Sequence, residues 1–307
     1  MSGAHVVCCV DSSDERSDLV FNAASNLVSQ CHSAHMTVFS AHRTIGPDSP
    51  RLPADREPRT IALHFESKCI SRFSKSRFEV VTAELPSTSP IREGLMDVVT
   101  ALNGDIVVLG YTGRKGPKED ASIMGSSTDL SLRNGNMTAL IVKNGGPYPV
   151  VAVAFDGSAR SMNALKTVVH LVADANEIIA IFVKSAGACE DISAQATVLA
   201  QRELATLAAS ASPGKKIPTF KVICVDNADM NTITNVFIRA ADDVGASLLV
   251  TAPRDLSTAT TQIANDFKLA RLGSFSEALV RYGKVDILLI YPKNGSVHGL
   301  SSRRAGD

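Results

Sequence analysis

The chain lacks most of the signatures that would settle its class at once. Its 31 basic residues are matched by 31 acidic ones. Split at residue 147, the halves carry 15 basic against 16 acidic and 16 against 15. Neither half has the basic excess of a nucleic-acid or membrane-surface binder. No apolar run approaches the roughly 18 residues needed to cross a bilayer, and Asp11 and Asp14 come too early for a secretory signal. The expectation is a cytoplasmic protein without nucleic-acid or membrane partners. The cysteines (Cys8, Cys9, Cys31, Cys69, Cys189, Cys224) show no Cys-x-x-Cys or Cys-x-x-His spacing, which argues against a zinc site or a disulfide framework. No Walker A loop and no Gly-x-Gly-x-x-Gly fingerprint occurs where either would be sought.

Short apolar runs alternating with helical periodicity are present instead. HVVCCV at 5–10 reads as a buried strand that ends at Asp11-Ser12-Ser13, a helix-start signal. Leu19, Val20, Ala23, Ala24, Leu27 and Val28 then recur at helical spacing. Strands are expected at 35–41, 77–83, 105–109 and 137–143, with helices at 59–74 and 90–102 between them. The Pro-, Arg- and Asp-rich stretch 42–58 reads as an exposed loop. The Gly/Pro-rich linker NGGPYP at 144–149 marks a boundary.

The pattern then begins again. VVAVAFDGS at 150–158 repeats the strand and Asp-x-Ser of the N-terminus. Strands at 177–183, 219–225, 246–252 and 285–291 follow, with helices at 159–172, 191–212 and 230–244 and one opening at Gly273-Ser274. Gly125 to Lys143 and Gly273 to Tyr291 both span 18 positions, and Arg133 and Arg281 both lie eight past their glycine. Matched spacing at this depth implies a duplicated unit. The fold class is therefore α/β: two tandem doubly wound domains, each a five-stranded parallel sheet flanked by helices, with order 3-2-1-4-5 taken as the premise because spacing alone does not derive it. The expected bounds are 1–146, 147–293 and a flexible tail at 294–307. In such sheets ligands sit beyond the carboxyl ends of the strands where the order reverses, here between strands 1 and 4.

The stretch from Asp105 to Lys143 fits that location. A strand breaks into Gly110, Gly113 and Gly116, and a helix opens at Gly125-Ser126-Ser127. Glycines allow close backbone approach to a ligand, and a helix N-terminus favours an anion such as phosphate. Plain turn chemistry is the alternative, as N-capping is for Asp11, Ser12 or Ser13.

An Asp ending strand 1, Gly-x-x-Gly after strand 4 and Gly-Ser before a helix and a final strand together resemble the universal stress protein family, in a tandem two-domain form. Gly110-Tyr-Thr-Gly113 and Gly125-Ser126 match its nucleotide motif, with eleven intervening residues where the family has nine. The resemblance implies that Asp11, with Ser12 beside it, contacts adenosine and that the backbone at Ala41 meets adenine. Gly110, Thr112, Gly113, Gly125, Ser126 and Ser127 would hold ribose and phosphates. ATP or AMP, with or without Mg²⁺, is the implied ligand. The second half keeps Asp156, Val183, Gly273 and Ser274 as a weaker site, but Ala252-Pro253-Arg254-Asp255 replaces the glycine pair, and Pro253 removes a backbone donor.

The resemblance thus points to a stress-response or regulatory nucleotide-binding protein. No nucleophile–base pair or acidic metal cluster accompanies the loop, so neither catalytic nor metal-binding residues are assigned, and slow ATP hydrolysis is the most that is expected. The competing readings are an enzyme acting at a phosphate, with Lys118, Glu119 and Asp120 as candidates, a nucleotide-free scaffold, and a redox protein using Cys8 and Cys9. The apolar final strands of the two halves would be sticky edges if unpaired, so an intrachain pseudo-dimer through these strands is expected, with or without further homo-oligomerisation.

Overall fold

The computed structural model describes residues 4–30, 33–43, 52–85, 97–111, 128, 137–184, 189–210, 217–226, 233–253 and 274–291. The first half supplies β1 (His5–Cys9), α1 (Glu15–Gln30), β2 (His35–Arg43), α2 (Pro58–Arg72), β3 (Phe78–Leu85), β4 (Ile106–Gly110) and β5 (Thr138–Val142). A 3-10 turn at Ala54–Arg56 lies before α2, and residues 97–101 are helical before β4. The second half supplies β6 (Val150–Ala154), α3 (Ala159–Leu171), β7 (Glu177–Lys184), α4 (Cys189–Ser210), β8 (Thr219–Asp226), α5 (Ile233–Asp243), β9 (Leu248–Thr251), α6 (Ser274–Tyr282) and β10 (Asp286–Leu289).

The ten strands of the described residues form one sheet, in the order β3-β2-β1-β4-β5-β10-β9-β6-β7-β8. Each half shows the expected 3-2-1-4-5 order with parallel neighbours. Where the halves meet, β10 runs antiparallel to β5, pairing Ile287 with Ile141 and Leu289 with Ala139. Both apolar edges are thereby covered.

Side chains alternate between the faces of the sheet, so each strand feeds two cores. Val6 and Cys8 join Phe21 of α1, Phe65 of α2, Leu165 and Val168 of α3, and Ala196 and Ala200 of α4. Val7 and Cys9 lie on the other face with Val99, Phe237 of α5, and Leu279 and Val280 of α6. Adjacent Cys8 and Cys9 therefore face opposite cores as free buried thiols, which removes them as a redox pair. Cys69 is also free and buried. Cys224 departs from the expectation of reduced thiols: it is disulfide-bonded, and its Sγ lies 3.2 Å from Ser193 Oγ. A disulfide need not join cysteines at any motif spacing, which is why this one was not legible.

The linker turns through two glycines of positive φ, Gly145 at 85° and Gly146 at 71°. A Cβ at Gly145 would come within 3.0 Å of the Leu19 backbone oxygen, so no other residue fits this turn without strain.

Candidate functional site

β1 and β4 are neighbours, with Val6, Val7 and Cys8 opposite Ile106, Val107 and Val108, so both strands end at one edge of the sheet. Asp11 follows β1 and is exposed there, while Gly110, half-buried, is the last residue of β4. Cys9 pairs with Phe39 on β2, and Val10 N donates to Phe39 O at 2.9 Å. Continuing that register brings Ala41 alongside Asp11. Asp11, Ser12, Ala41 and Gly110, drawn from three strands, thus meet at the point where the strand order reverses.

The helix-capping alternative for Asp11 does not hold. Asp14 Oδ1 accepts the backbone N–H groups of Arg16 and Ser17 at 3.1 and 3.2 Å, so Asp14 caps α1. The Asp11 carboxylate is instead dressed by hydroxyls: Ser12 and Ser17 both donate to its Oδ1, at 3.3 and 3.2 Å. Ser12 is fully buried, and its Oγ lies 3.0 Å from Ser17 Oγ. This leaves Oδ2 of an exposed carboxylate with no such bond among the described residues.

The 3-10 turn at Ala54–Arg56 lies over the same corner. Asp55 O accepts Ser13 N at 2.8 Å and Ser13 Oγ at 3.3 Å. Arg56 of this turn and His42, next to Ala41 on β2, carry buried atoms, Nε and Nδ1, with no hydrogen-bond partner among the described residues. Unpaired buried donors and acceptors are costly, and two of them bordering one corner of the sheet are polar capacity that a ligand could use.

Thr128 is a contributor that sequence reasoning passed over. Its buried hydroxyl donates to Gly110 O at 2.7 Å, which ties the segment just after Gly125-Ser126-Ser127 to the end of β4. A threonine following Gly-Ser-Ser was the available signal. Thr112, Gly113, Gly125, Ser126 and Ser127 lie outside the described residues.

The second half is arranged differently. Asp156 follows β6 and is exposed, but its Oδ1 accepts Ser158 N at 3.0 Å. Burial tends to raise its pKa, and the hydrogen bonds from Ser158 and Ser161 outweigh that and hold it below the usual carboxylate range. Ser158 caps α3, accepting Ser161 N at 3.2 Å. Val183 is half-buried on β7 opposite Val225, and Ser274 is exposed at the start of α6. Gly273 lies outside the described residues. Pro253 is buried just past β9, where the first half has its glycines.

Comparison with known proteins gives a consistent picture of the fold. No family model matches the chain, and no curated protein sequence does. Among solved structures, a universal stress protein from Archaeoglobus fulgidus DSM 4304 is similar at 16% identity, covering 94% of this chain and 98% of its own, with a TM-score of 0.57. A second structure assigned to that family, from Pseudomonas aeruginosa UCBPP-PA14, is 13% identical over 95% of this chain and 94% of its own, with a TM-score of 0.53. A universal stress protein in complex with cAMP covers 47% of this chain and 98% of its own at 23% identity, with a TM-score of 0.30. The chain has the universal stress protein fold, in a tandem two-domain form.

Proposed function

We propose that the first half binds an adenine nucleotide, ATP or AMP with or without Mg²⁺, in the crevice between β1 and β4, and that the chain serves as a soluble cytoplasmic stress-response or regulatory protein. The observation that carries this reading is the convergence of Asp11, Gly110 and Thr128 at one edge. An exposed carboxylate set by two hydroxyls suits ribose hydroxyls, which it can accept from in pairs. Thr128, the residue that follows Gly125-Ser126-Ser127 in the chain, is held to Gly110 at the end of β4, the edge where phosphates would meet backbone N–H groups.

The two halves act as domains 1–146 and 147–293, joined as a pseudo-dimer within one chain. Among the described residues no helix is long and apolar enough to cross a membrane. The free thiols at Cys8, Cys9 and Cys69 fit a reducing compartment, and the Cys224 disulfide is the one feature that pulls the other way. The role assigned is to hold the nucleotide rather than to consume it.

The direct test is to denature purified protein, identify any released nucleotide by mass spectrometry, and measure stoichiometry by calorimetric titration. The expected result is an adenine nucleotide at close to one per chain. A chain that releases none and binds neither ATP nor AMP at millimolar concentration refutes the reading.

A further inference from the structure

At the opposite edge of the first five strands, a polar group interrupts a face that is otherwise apolar. His5 and His35 open β1 and β2 and stand in register, while Thr37 on β2 is in register with Glu79 on β3. Alternation puts all four on the face that buries Val7 and Phe39. The two imidazoles meet edge to face with centroids 5.3 Å apart. One ligating atom from each of His5, His35 and Glu79 lies within 4.8 Å of the others.

Thr37 orders this group. Its buried hydroxyl donates to Glu79 Oε1 at 2.6 Å, which uses its only proton. At its 2.7 Å contact with His5 Nε2 it must therefore accept, so Nε2 carries the hydrogen and Nδ1 of the neutral ring keeps its lone pair. A histidine held this way through one nitrogen presents the other to a metal, the usual arrangement around metal-ligating imidazoles.

The duplicated half supplies an internal comparison. At the positions of His5, His35, Thr37 and Glu79 it carries Val150, Glu177, Ile179 and Lys221, in the same register. There the edge is closed by an ion pair, with Lys221 Nζ 2.5 Å from Glu177 Oε1. In the first half a histidine replaces that acid and an acid replaces that lysine. No lysine or arginine among the described residues forms an ion pair with Glu79.

We infer that His5, His35 and Glu79 bind a divalent transition metal ion of the zinc class, Zn²⁺, Co²⁺ or Ni²⁺, which supplies the positive charge that Lys221 supplies in the second half. Two imidazole nitrogens and one carboxylate are a ligand set for such ions, with water completing the coordination. The ion would clamp β1, β2 and β3 together at their amino ends, on the edge away from the crevice.

The test uses full-length protein, stripped with a chelator and free of nucleotide, titrated with Co²⁺ and then with competing Zn²⁺. The expected result is one saturable site per chain, visible as Co²⁺ ligand-field bands that Zn²⁺ abolishes, together with a Zn²⁺-dependent rise in Tm. Glu79→Gln should weaken binding by about tenfold or more. The double variant His35→Glu/Glu79→Lys installs the ion pair of the second half, so it should stay folded by circular dichroism while losing both the bands and the Tm shift. Wild-type protein without a saturable Co²⁺ site, or a folded double variant that binds as tightly as wild type, overturns the assignment.

Discussion

The Tyr148 hydroxyl donates to Asp286 Oδ2 at 2.7 Å, joining the segment that leaves β5 to the last strand of the other half. The same fully buried carboxylate accepts the backbone N–H groups of Lys143 at 2.7 Å, Asn144 at 2.6 Å and Gly145 at 3.1 Å. Lys143 extends its ammonium alongside, donating to the carbonyls of Val280 and Gly283 and lying 4.0 Å over the Tyr111 ring. The linker is thus a binding loop for one side chain, and that side chain locks the antiparallel seam between β5 and β10.

Removing either partner should therefore cost more than an ordinary surface change. Asp286→Ala strands four donors in a buried place and should lose about 3 to 5 kcal/mol. Tyr148→Phe removes one hydrogen bond to a charged acceptor and should lose about 1.5 to 3 kcal/mol. Urea unfolding of both variants measures these losses. A Tyr148→Phe protein as stable as the parent would show that the hydroxyl contributes nothing to the seam.

Alkaline pH should unfold the protein through its thiols. Burial pushes Cys9 and Cys69 up to about 12 and raises Cys8 as well, whereas an unfolded thiol titrates near roughly 8.5. Between those values the unfolded chain has released protons that the native chain keeps, so stability falls as pH rises, by about 1.4 kcal/mol per unit for each thiol. Lys143 acts in the opposite sense: burial lowers it to about 8, so above that the native chain has lost a proton that the unfolded lysine keeps up to about 10.4. Three falling contributions against one rising give a net loss of about 3 kcal/mol per unit near pH 9.5. Denaturant midpoints between pH 7 and 10.5 should stay level to about 8 and then drop, and Lys143→Met should steepen the drop. A midpoint that rises through pH 9 to 10 contradicts this account.

What was legible in the sequence was whatever depends on neighbours in the chain. Most strands are short, largely apolar runs, so the expected elements among the described residues came within a few residues of their observed ends. The sheet order is not fixed by spacing alone and was legible only as an assumption of the doubly wound class. The cap of α1 was not resolved, because Asp11, Ser12, Ser13 and Asp14 are all competent acceptors and only the backbone path selects Asp14. NGGPYP was legible as a turn. Its role as a clamp was not, since its partner Asp286 lies 141 positions from Gly145 and reads as the start of an ordinary strand. His5, His35 and Glu79 were passed over for the same reason: three strands separated in sequence bring them together, and no local spacing records it.

The crevice reading is tested most sharply at Gly125. If its N–H and that of Ser126 meet phosphate at a helix N-terminus, a side chain there must intrude on the ligand or strain the turn, while the two cores are built from other residues. Gly125→Val should abolish nucleotide binding at a stability loss of about 1 kcal/mol, whereas Gly273→Val, its counterpart in the second half, should leave binding unchanged. Thr128→Val deletes the 2.7 Å hydrogen bond to Gly110 O without changing the shape of the side chain, and should weaken binding by about tenfold, worth about 1.4 kcal/mol, by loosening the same segment. Calorimetric titration of the three variants beside the parent, with unfolding measured on each, separates loss of ligand from loss of fold. If Gly125→Val binds adenine nucleotide as tightly as the parent, Gly125 serves only the turn, and the proposed phosphate contact is wrong.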